Sequence, residues 1–221
     1  LTDDGALSSA RENRFGIMES HSSETTDYPY RAKKAYVAIA NMNNILLDAK
    51  GIENKEIDEN VNICRFERNE REETGKQVIS LWSVYDPKPV ALNLGVKDVT
   101  YSDMYGNQKK LHSDNGIFNF VASKAPVYIM GDFTGFEVTD NTIEFSEVDI
   151  NAAAGDRKTI TVTNNTGKKL TSKISGVNNS LSETKESVID KVGTVQIDIP
   201  EMLGVETKID LEFYDGEQLI C

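Results

Sequence analysis

Residues 56–134 are divided into short apolar segments by closely spaced turn signals, and this pattern restricts the fold more than any other feature of the chain. Short segments rich in β-branched and aromatic side chains favour strands, whereas Gly, Pro, Asn and Asp between them favour tight turns. The predicted strands are 61–66, 77–84, 89–94, 96–104, 109–111, 117–121 and 127–130, with turns at 74–75, 86–87, 95, 106–107, 115–116 and 125–126. A succession of short strands with frequent turns predicts an antiparallel β-sandwich.

Residues 135–221 are also rich in predicted strands but carry fewer aromatic side chains. The predicted strands are 145–150, 159–163, 170–174, 194–199 and 208–214. Residues 159–167 alternate between polar and apolar and then turn, as immunoglobulin-like modules often do. Because these strands are slightly few for that fold, we expect a truncated module or one whose last strand lies near Leu219-Ile220.

In residues 1–55 the apolar residues recur at a different spacing. A short apolar run at 14–18 predicts a strand, and a helix is predicted at about residues 30–49, entered at Pro29 and ended before Gly51. Apolar residues recur there at the i, i+3, i+4, i+7 spacing that makes one buried stripe. The stripe consists of Ala32, Ala35, Tyr36, Ile39, Met42 and Leu46. A single βα unit cannot bury both faces of its strand, so this segment is predicted to be part of a larger domain.

The fold class predicted from these three segments is mainly β. Two antiparallel β-sandwich domains, at 56–134 and 135–221, are expected to follow a βα remnant at 1–55 that carries one long helix. The second domain is expected to be immunoglobulin-like.

The charge balance limits the partners of the chain. It carries 24 basic and 36 acidic residues, a formal net charge of −12. Such a field repels phosphate backbones, so nucleic acid and anionic membranes are not expected partners. The sequence has no apolar run of membrane-spanning length and does not open with a secretory signal pattern.

The few cysteines and histidines do not predict a reactive or metal-binding site. Cys64 lies in an apolar-alternating stretch and is interpreted as a small core residue. Cys221 is the last residue, and a disulfide between the two remains open. His21 and His112 are too far apart in sequence to suggest a Cys/His nucleophile or a zinc cluster. We therefore predict no catalytic residue, no cofactor and no metal ligand.

The order of several motifs resembles the C-terminal part of bacterial (β/α)8-barrel glycoside hydrolases. The barrel-like motifs are Asp3-Asp4-Gly5, Arg14-Phe15-Gly16-Ile17 and residues 31–38. Residues 99–107 and 125–129 are similar to the small β-sandwich attached to such barrels. The resemblance covers about residues 1–132. It implies that 1–55 is the terminal βα unit of a barrel-like domain, and that the chain comes from a bacterium.

In that family the catalytic carboxylates lie at the ends of two earlier barrel strands, and the chain is expected to begin after both. Retaining chemistry needs two carboxyl groups about 5–5.5 Å apart, and no residue here matches either role, so enzymatic activity is left open. The best chemical candidates are Asp3, Asp4, Glu19 and His21. Glu19 and His21 would follow the last barrel strand, where barrel substrates bind. A solvated polar loop is the favoured alternative.

Three other features have a structural and a functional interpretation. Trp82 could stack on a sugar ring, but its apolar neighbours favour core packing. Asp114-Asn115-Gly116 and Asp140-Asn141 could offer oxygens to calcium, but turn chemistry explains them better. Asn164-Asn165-Thr166 and Asn178-Asn179-Ser180 are formal glycosylation sequons.

The resemblance gives the first of two functional hypotheses. The chain would be a non-catalytic C-terminal accessory region of a glycoside hydrolase-like protein, with a polysaccharide or an upstream catalytic barrel domain as partner. The alternative is a free-standing β-sandwich protein that binds carbohydrate or mediates cell-surface adhesion. Either hypothesis implies an extracellular or cell-surface location on a bacterium.

Overall fold

The fold is mainly β, and the described residues form several antiparallel sheets and one short helix. The computed structural model describes residues 18–20, 30–150, 152–153, 155–176, 186–199 and 209–221. No helix among them is long and apolar enough to cross a membrane.

The first sandwich is built from nine strands that pair antiparallel. They are β3 (Lys50–Ile57), β4 (Val61–Glu67), β5 (Gln77–Ser83), β6 (Lys88–Asn93), β7 (Asp98–Ser102), β8 (Gln108–His112), β9 (Ile117–Ala122), β10 (Val127–Gly131) and β11 (Glu137–Thr139). One sheet has the order β3-β4-β5-β10-β7-β8 and the other the order β11-β6-β9. Alternate side chains enclose one core that includes Ile63, Leu81, Phe118 and Ile129. Burying each side chain of this kind contributes about 1.5–3 kcal/mol.

The described residues of the second sandwich form seven strands. They are β12 (Ile143–Phe145), β13 (Arg157–Asn164), β14 (Leu170–Gly176), β15 (Glu186–Ile189), β16 (Val192–Asp198), β17 (Ile209–Asp215) and β18 (Gln218–Leu219). The sheets β12-β13-β16 and β15-β14-β17-β18 enclose a separate core around Val162, Leu170, Val195 and Phe213. The first predicted strand of this part, 145–150, is instead Ile143–Phe145. The more specific immunoglobulin-like assignment stays a prediction.

The first sandwich extends beyond both of its predicted boundaries. Strand β3 begins at Lys50 and pairs with β4, so the first sheet starts before residue 56. Strand β11 pairs with β6, so the same sandwich continues past residue 134. Both are edge strands of their sheets. Edge strands face solvent, carry charged residues and lack a continuous apolar pattern.

The helix differs from its prediction in length and in the face that it buries. Helix α1 spans Lys34–Ile45, and residues predicted as its first turn form strand β2 (Tyr30–Ala32), which pairs antiparallel with β1 (Met18–Ser20). The strand predicted at 14–18 lies outside the described residues except for Met18. Ile45 is the buried helix residue, and it packs on the outer face of the large sheet against Val78, Tyr128 and Met130.

Most of the predicted apolar stripe is not buried. Tyr36, Ile39 and Met42 are 43%, 45% and 39% exposed. Ile45 lies about half a turn around the helix from Tyr36, because each residue advances the helix by about 100°. The part of the stripe formed by Tyr36, Ile39 and Met42 is therefore exposed, whereas Leu46, its last member, packs against the same cluster as Ile45.

Two polar side chains fasten the helix to the sheet. Asn41 Nδ2 donates a hydrogen bond to the Asp103 carbonyl oxygen at 3.0 Å. Buried Arg68 donates from Nη1 to the Ile45 carbonyl oxygen at 2.7 Å, at the end of the helix. Burial and the neighbouring Arg71 lower the pKa of Arg68 to about 10. These two hydrogen bonds hold the helix on the same side as Ile45.

Candidate functional site

Of the four candidate residues near the predicted barrel strand, Glu19 is the one that the described residues include. Asp3, Asp4 and His21 lie outside the described residues. Glu19 lies in β1, where its backbone pairs with Arg31. Their role as substrate contacts stays a prediction.

In the part of the chain that the structure describes, no group of three or more His, Cys, Asp and Glu side chains is arranged to hold a metal ion. An open cleft of about 640 Å³ lies where the two sandwiches meet, and Asp140 and Glu144 are among its lining residues. Both carboxylates are exposed. A catalytic acid is usually desolvated, and these two carboxylates are not.

The Asp114-Asn115-Gly116 segment forms a turn, as turn chemistry predicts. Asn115 Oδ1 accepts hydrogen bonds from Ser113 Oγ at 2.7 Å and from the Ile117 backbone N–H at 3.1 Å. Gly116 has a φ of 75°, a conformation that L side chains rarely adopt. Asn115 is therefore occupied by its own turn.

Trp82 is not a core residue, contrary to the prediction. Its neighbours Ile79 and Leu81 point into the first core, so alternation along β5 places Trp82, with Val78 and Ser80, on the outer face of the sheet. The side chain is partly exposed. The apolar pattern of β5 has a different cause, because helix α1 covers Val78 on this outer face.

Cys64 is also on the outer face rather than in the core. Val61 and Ile63 point inward, whereas the Cys64 thiol donates a hydrogen bond to Asn54 Oδ1 at 3.3 Å. Cys221 is free as well, and its thiol contacts the Asn119 carbonyl oxygen at 3.3 Å. The possible disulfide between the two cysteines is therefore not formed.

A row of side chains crosses three strands beside Trp82. Asn62 on β4 pairs with Trp82, and Glu56 on the edge strand β3 pairs with Asn62. Directly paired residues share one face of a sheet, so Glu56, Asn62 and Trp82 all point outward. We call these three residues the outer row. Sequence reasoning missed Glu56 and Asn62, because β3 lacks the apolar alternation that would have revealed it as a strand.

The loop that follows Trp82 is held by one asparagine. Asn60 accepts from the Val84 N–H through its carbonyl at 2.8 Å and from the Tyr85 N–H through Oδ1 at 2.9 Å. Its Nδ2 donates to the Asp86 carbonyl oxygen at 3.0 Å. Tyr85 is 63% exposed on this fixed loop.

The junction between the sandwiches is centred on Asn119 of β9. This buried side chain donates from Nδ2 to Thr142 Oγ1 at 2.6 Å. Its Oδ1 accepts from the N–H groups of Thr142 at 2.9 Å and Ile143 at 3.3 Å. One side chain of the first sandwich thus fixes the start of the second. The sequence signal that could have revealed this junction is Asn119 itself, a polar residue inside the apolar run 117–121.

Ion pairs also cross the junction. Lys168 of the second sandwich contacts Asp114 of the first and Asp215 of its own sandwich, both at 2.6 Å. Lys109 of β8 contacts Glu212 of β17 at 2.6 Å. Such contacts on a surface each contribute little, but together they define how the sandwiches face each other.

His112 extends this network. Its ring contacts Asp98 from Nδ1 at 2.7 Å and Asp114 from Nε2 at 3.2 Å. The hydrogen bond to Asp98, followed by that to Asp114, raises the pKa of His112. The pKa of Asp114 is lowered, first by Lys168 and then by His112. Protonated His112 therefore supports the same carboxylate that bridges to the second sandwich.

The sequon at Asn164 is a structural feature. Asn164 is buried, and its Nδ2 lies within hydrogen-bonding distance of the carbonyl oxygens of Lys168 at 2.6 Å and Asp190 at 2.7 Å. An amide used in this way is not available for glycosylation. The second sequon, at residues 178–180, lies outside the described residues.

No protein-family model, curated protein or solved structure matches the chain.

Proposed function

We propose that the chain is a non-catalytic accessory region of a glycoside hydrolase-like protein that binds polysaccharide. In this proposal the sandwiches hold polysaccharide near a neighbouring catalytic barrel domain, outside a bacterial cell or on its surface. The motif order between Asp3 and residue 129 supports the proposal as a resemblance.

The observation that carries the proposal is the pair of faces on helix α1. One face packs on the sheet through Ile45 and is fastened by Asn41. The other presents Tyr36, Ile39 and Met42 to solvent. A contiguous exposed apolar surface marks an interaction site more often than chance exposure does. We assign this surface to the flank of the catalytic barrel, because the resemblance makes this the last helix of such a domain.

The junction around Asn119 supports a role as a spacer of fixed geometry between a binding surface and a partner domain. Its hydrogen bonds and the ion pairs of Lys168 and Lys109 fix the two sandwiches relative to each other. A fixed junction lets a binding surface on one sandwich be held at a defined distance from a partner domain. A flexible linker would give a broad range of distances instead.

The alternative, a free-standing carbohydrate-binding or adhesion protein, has one observation in its favour. Trp82 and Tyr85 are both accessible, and aromatic side chains supply the apolar surface on which sugar rings stack. A free-standing protein would not need the apolar face of helix α1. Substitutions in that face separate the two hypotheses.

The proposal is tested with the 221-residue chain. The purified protein is incubated with insoluble cellulose, xylan, mannan and chitin, and both retention on the solid and release of reducing ends are measured. We expect retention on at least one polysaccharide and no release of reducing ends. Release of sugar by the chain, or retention on none of the four, would contradict the proposal. An acidic protein of similar size is the control for nonspecific retention.

A further inference from the structure

We propose that the outer row, Glu56, Asn62 and Trp82, is the binding site for a neutral polysaccharide chain. This inference rests on the proposed function and assigns it to specific residues. The row lies on the outer face of the first sandwich, on three adjacent strands.

The geometry of the row suits an extended ligand. Adjacent strands are about 4.8 Å apart, so the three side chains span about 10 Å across the sheet. Strand β3 is the free edge of this sheet and its residues from Lys50 to Glu56 are exposed, which leaves the row open from one side. Helix α1 covers the same face near Val78, about 13 Å along β5 from Trp82 at the usual rise of a strand. The row is therefore outside the area that the helix covers.

The functional groups of the row are available to a ligand. None of the described residues forms a hydrogen bond or ion pair with the side chain of Glu56, Asn62 or Trp82. The Trp82 indole N–H is not among the described buried polar atoms that lack a partner. Since it is neither bonded nor enclosed, it can donate to a ligand. Trp82 also belongs to none of the three hydrophobic clusters.

These three groups match the chemistry of a sugar. The indole offers an apolar surface for the C–H face of a sugar ring and one N–H donor. The Asn62 amide donates and accepts, and the Glu56 carboxylate accepts from two hydroxyl groups. A carboxylate in the row and the net charge of −12 repel anionic polymers. The ligand is therefore an uncharged polysaccharide rather than a uronic acid polymer or a nucleic acid.

The experiment measures retention of wild-type protein and variants on the polysaccharide that the wild type binds best. Trp82→Ala is expected to weaken binding about tenfold, in line with the value of a stacked aromatic contact. Trp82→Phe keeps a ring but removes the N–H, so it is expected to fall between Trp82→Ala and wild type. Asn62→Ala and Glu56→Gln test the polar contacts without altering the aromatic ring. Tyr105→Ala, at another partly exposed aromatic, is the matched control and is expected to bind as wild type does.

The outcomes separate this inference from the proposed function. Thermal unfolding and circular dichroism of each variant identify any that has lost the fold, and Asn62→Ala and Glu56→Gln then carry the test. Unchanged binding by all outer-row variants would overturn the inference while leaving the proposed function intact. Failure of the wild-type protein to bind any of the four polysaccharides would overturn both. Equal binding to xylan and to polygalacturonate would overturn the assignment to neutral chains.

Discussion

Replacing Asn119 by Ala should loosen the junction between the two sandwiches. The side chain donates one hydrogen bond to Thr142 and accepts two, from the Thr142 and Ile143 N–H groups. The substitution removes all three and leaves two backbone donors without their acceptor. A typical hydrogen bond contributes about 1 kcal/mol net, and a buried group left without a partner costs about 1–3 kcal/mol. We therefore expect a loss of about 2–4 kcal/mol.

Differential scanning calorimetry measures the effect. For 150–250 residues a loss of 1 kcal/mol lowers Tm by about 2–4 °C, so a decrease of about 5–15 °C is expected. The unfolding transition should broaden or split, because the sandwiches have separate cores. Small-angle X-ray scattering should report a larger maximum dimension. Asn107→Ala is the control, since Asn107 bonds within its own exposed turn. If both variants had the same Tm, Asn119 would not hold the junction.

Three further outcomes are expected. Ile39→Lys should leave Tm nearly unchanged and reduce binding of the dye ANS, because Ile39 lies on the exposed stripe of the helix. Val188→Lys, at an exposed valine of the second sandwich, is the control. A large fall in Tm for Ile39→Lys would show that the stripe is covered. The raised pKa of His112 means that its stabilising contribution is fully present below the unfolded value of 6.5 and is lost as the pH rises through the higher folded value. Urea unfolding should therefore show that His112→Gln removes part of the decline in stability from about pH 6 upward, and an unchanged pH profile would refute this. Burial raises the pKa of the Cys221 thiol to about 12, so iodoacetamide at pH 8 should label it slowly in folded protein and quickly in urea; equal rates would contradict its burial.

The strands of the first sandwich could be predicted because their signals are local. Residues 77–84 and 117–121 carry apolar side chains between turns, and the structure confirms a strand at each of them. Strand β3 (Lys50–Ile57) was missed because every residue but the last is exposed. An exposed edge strand has no buried face to impose an alternating pattern.

The spacing of apolar residues alone could not predict which face of the helix, or which face of strand β5, is buried. The stripe through Ile39 has the correct helical period, but period does not tell which surface will cover it. Ile45 is buried instead, because the sheet beneath it presents Val78 and Met130. The same limit explains the core prediction for Trp82. Because helix α1 covers Val78 on the outer face of β5, this strand carries apolar residues on both faces, and the pattern does not show which face Trp82 occupies. Contacts between distant segments decided each case.

The candidate site was predictable only in part. Trp82 could be recognised from the sequence as a residue that either packs in the core or stacks on a sugar ring. Glu56 and Asn62 could not be added to it, since only the pairing of β3 with β4 and of β4 with β5 brings them beside Trp82. Cross-strand pairing joins residues that are separate in sequence.

Strand β18 also determines when the first sandwich can be completed during synthesis. Leu219 of this strand packs against the core of the first sandwich, and β18 lies beside β8. The ribosome adds about 80 residues between the end of β11 and Leu219, which takes about 4–16 s at bacterial and eukaryotic rates of about 5–20 residues per second. During that interval the nascent first sandwich has one uncovered apolar corner. The time at which this last core contact forms therefore depends on the rate of translation. A ribosome that pauses while it synthesises the second sandwich would prolong the exposure of that corner to chaperones and proteases.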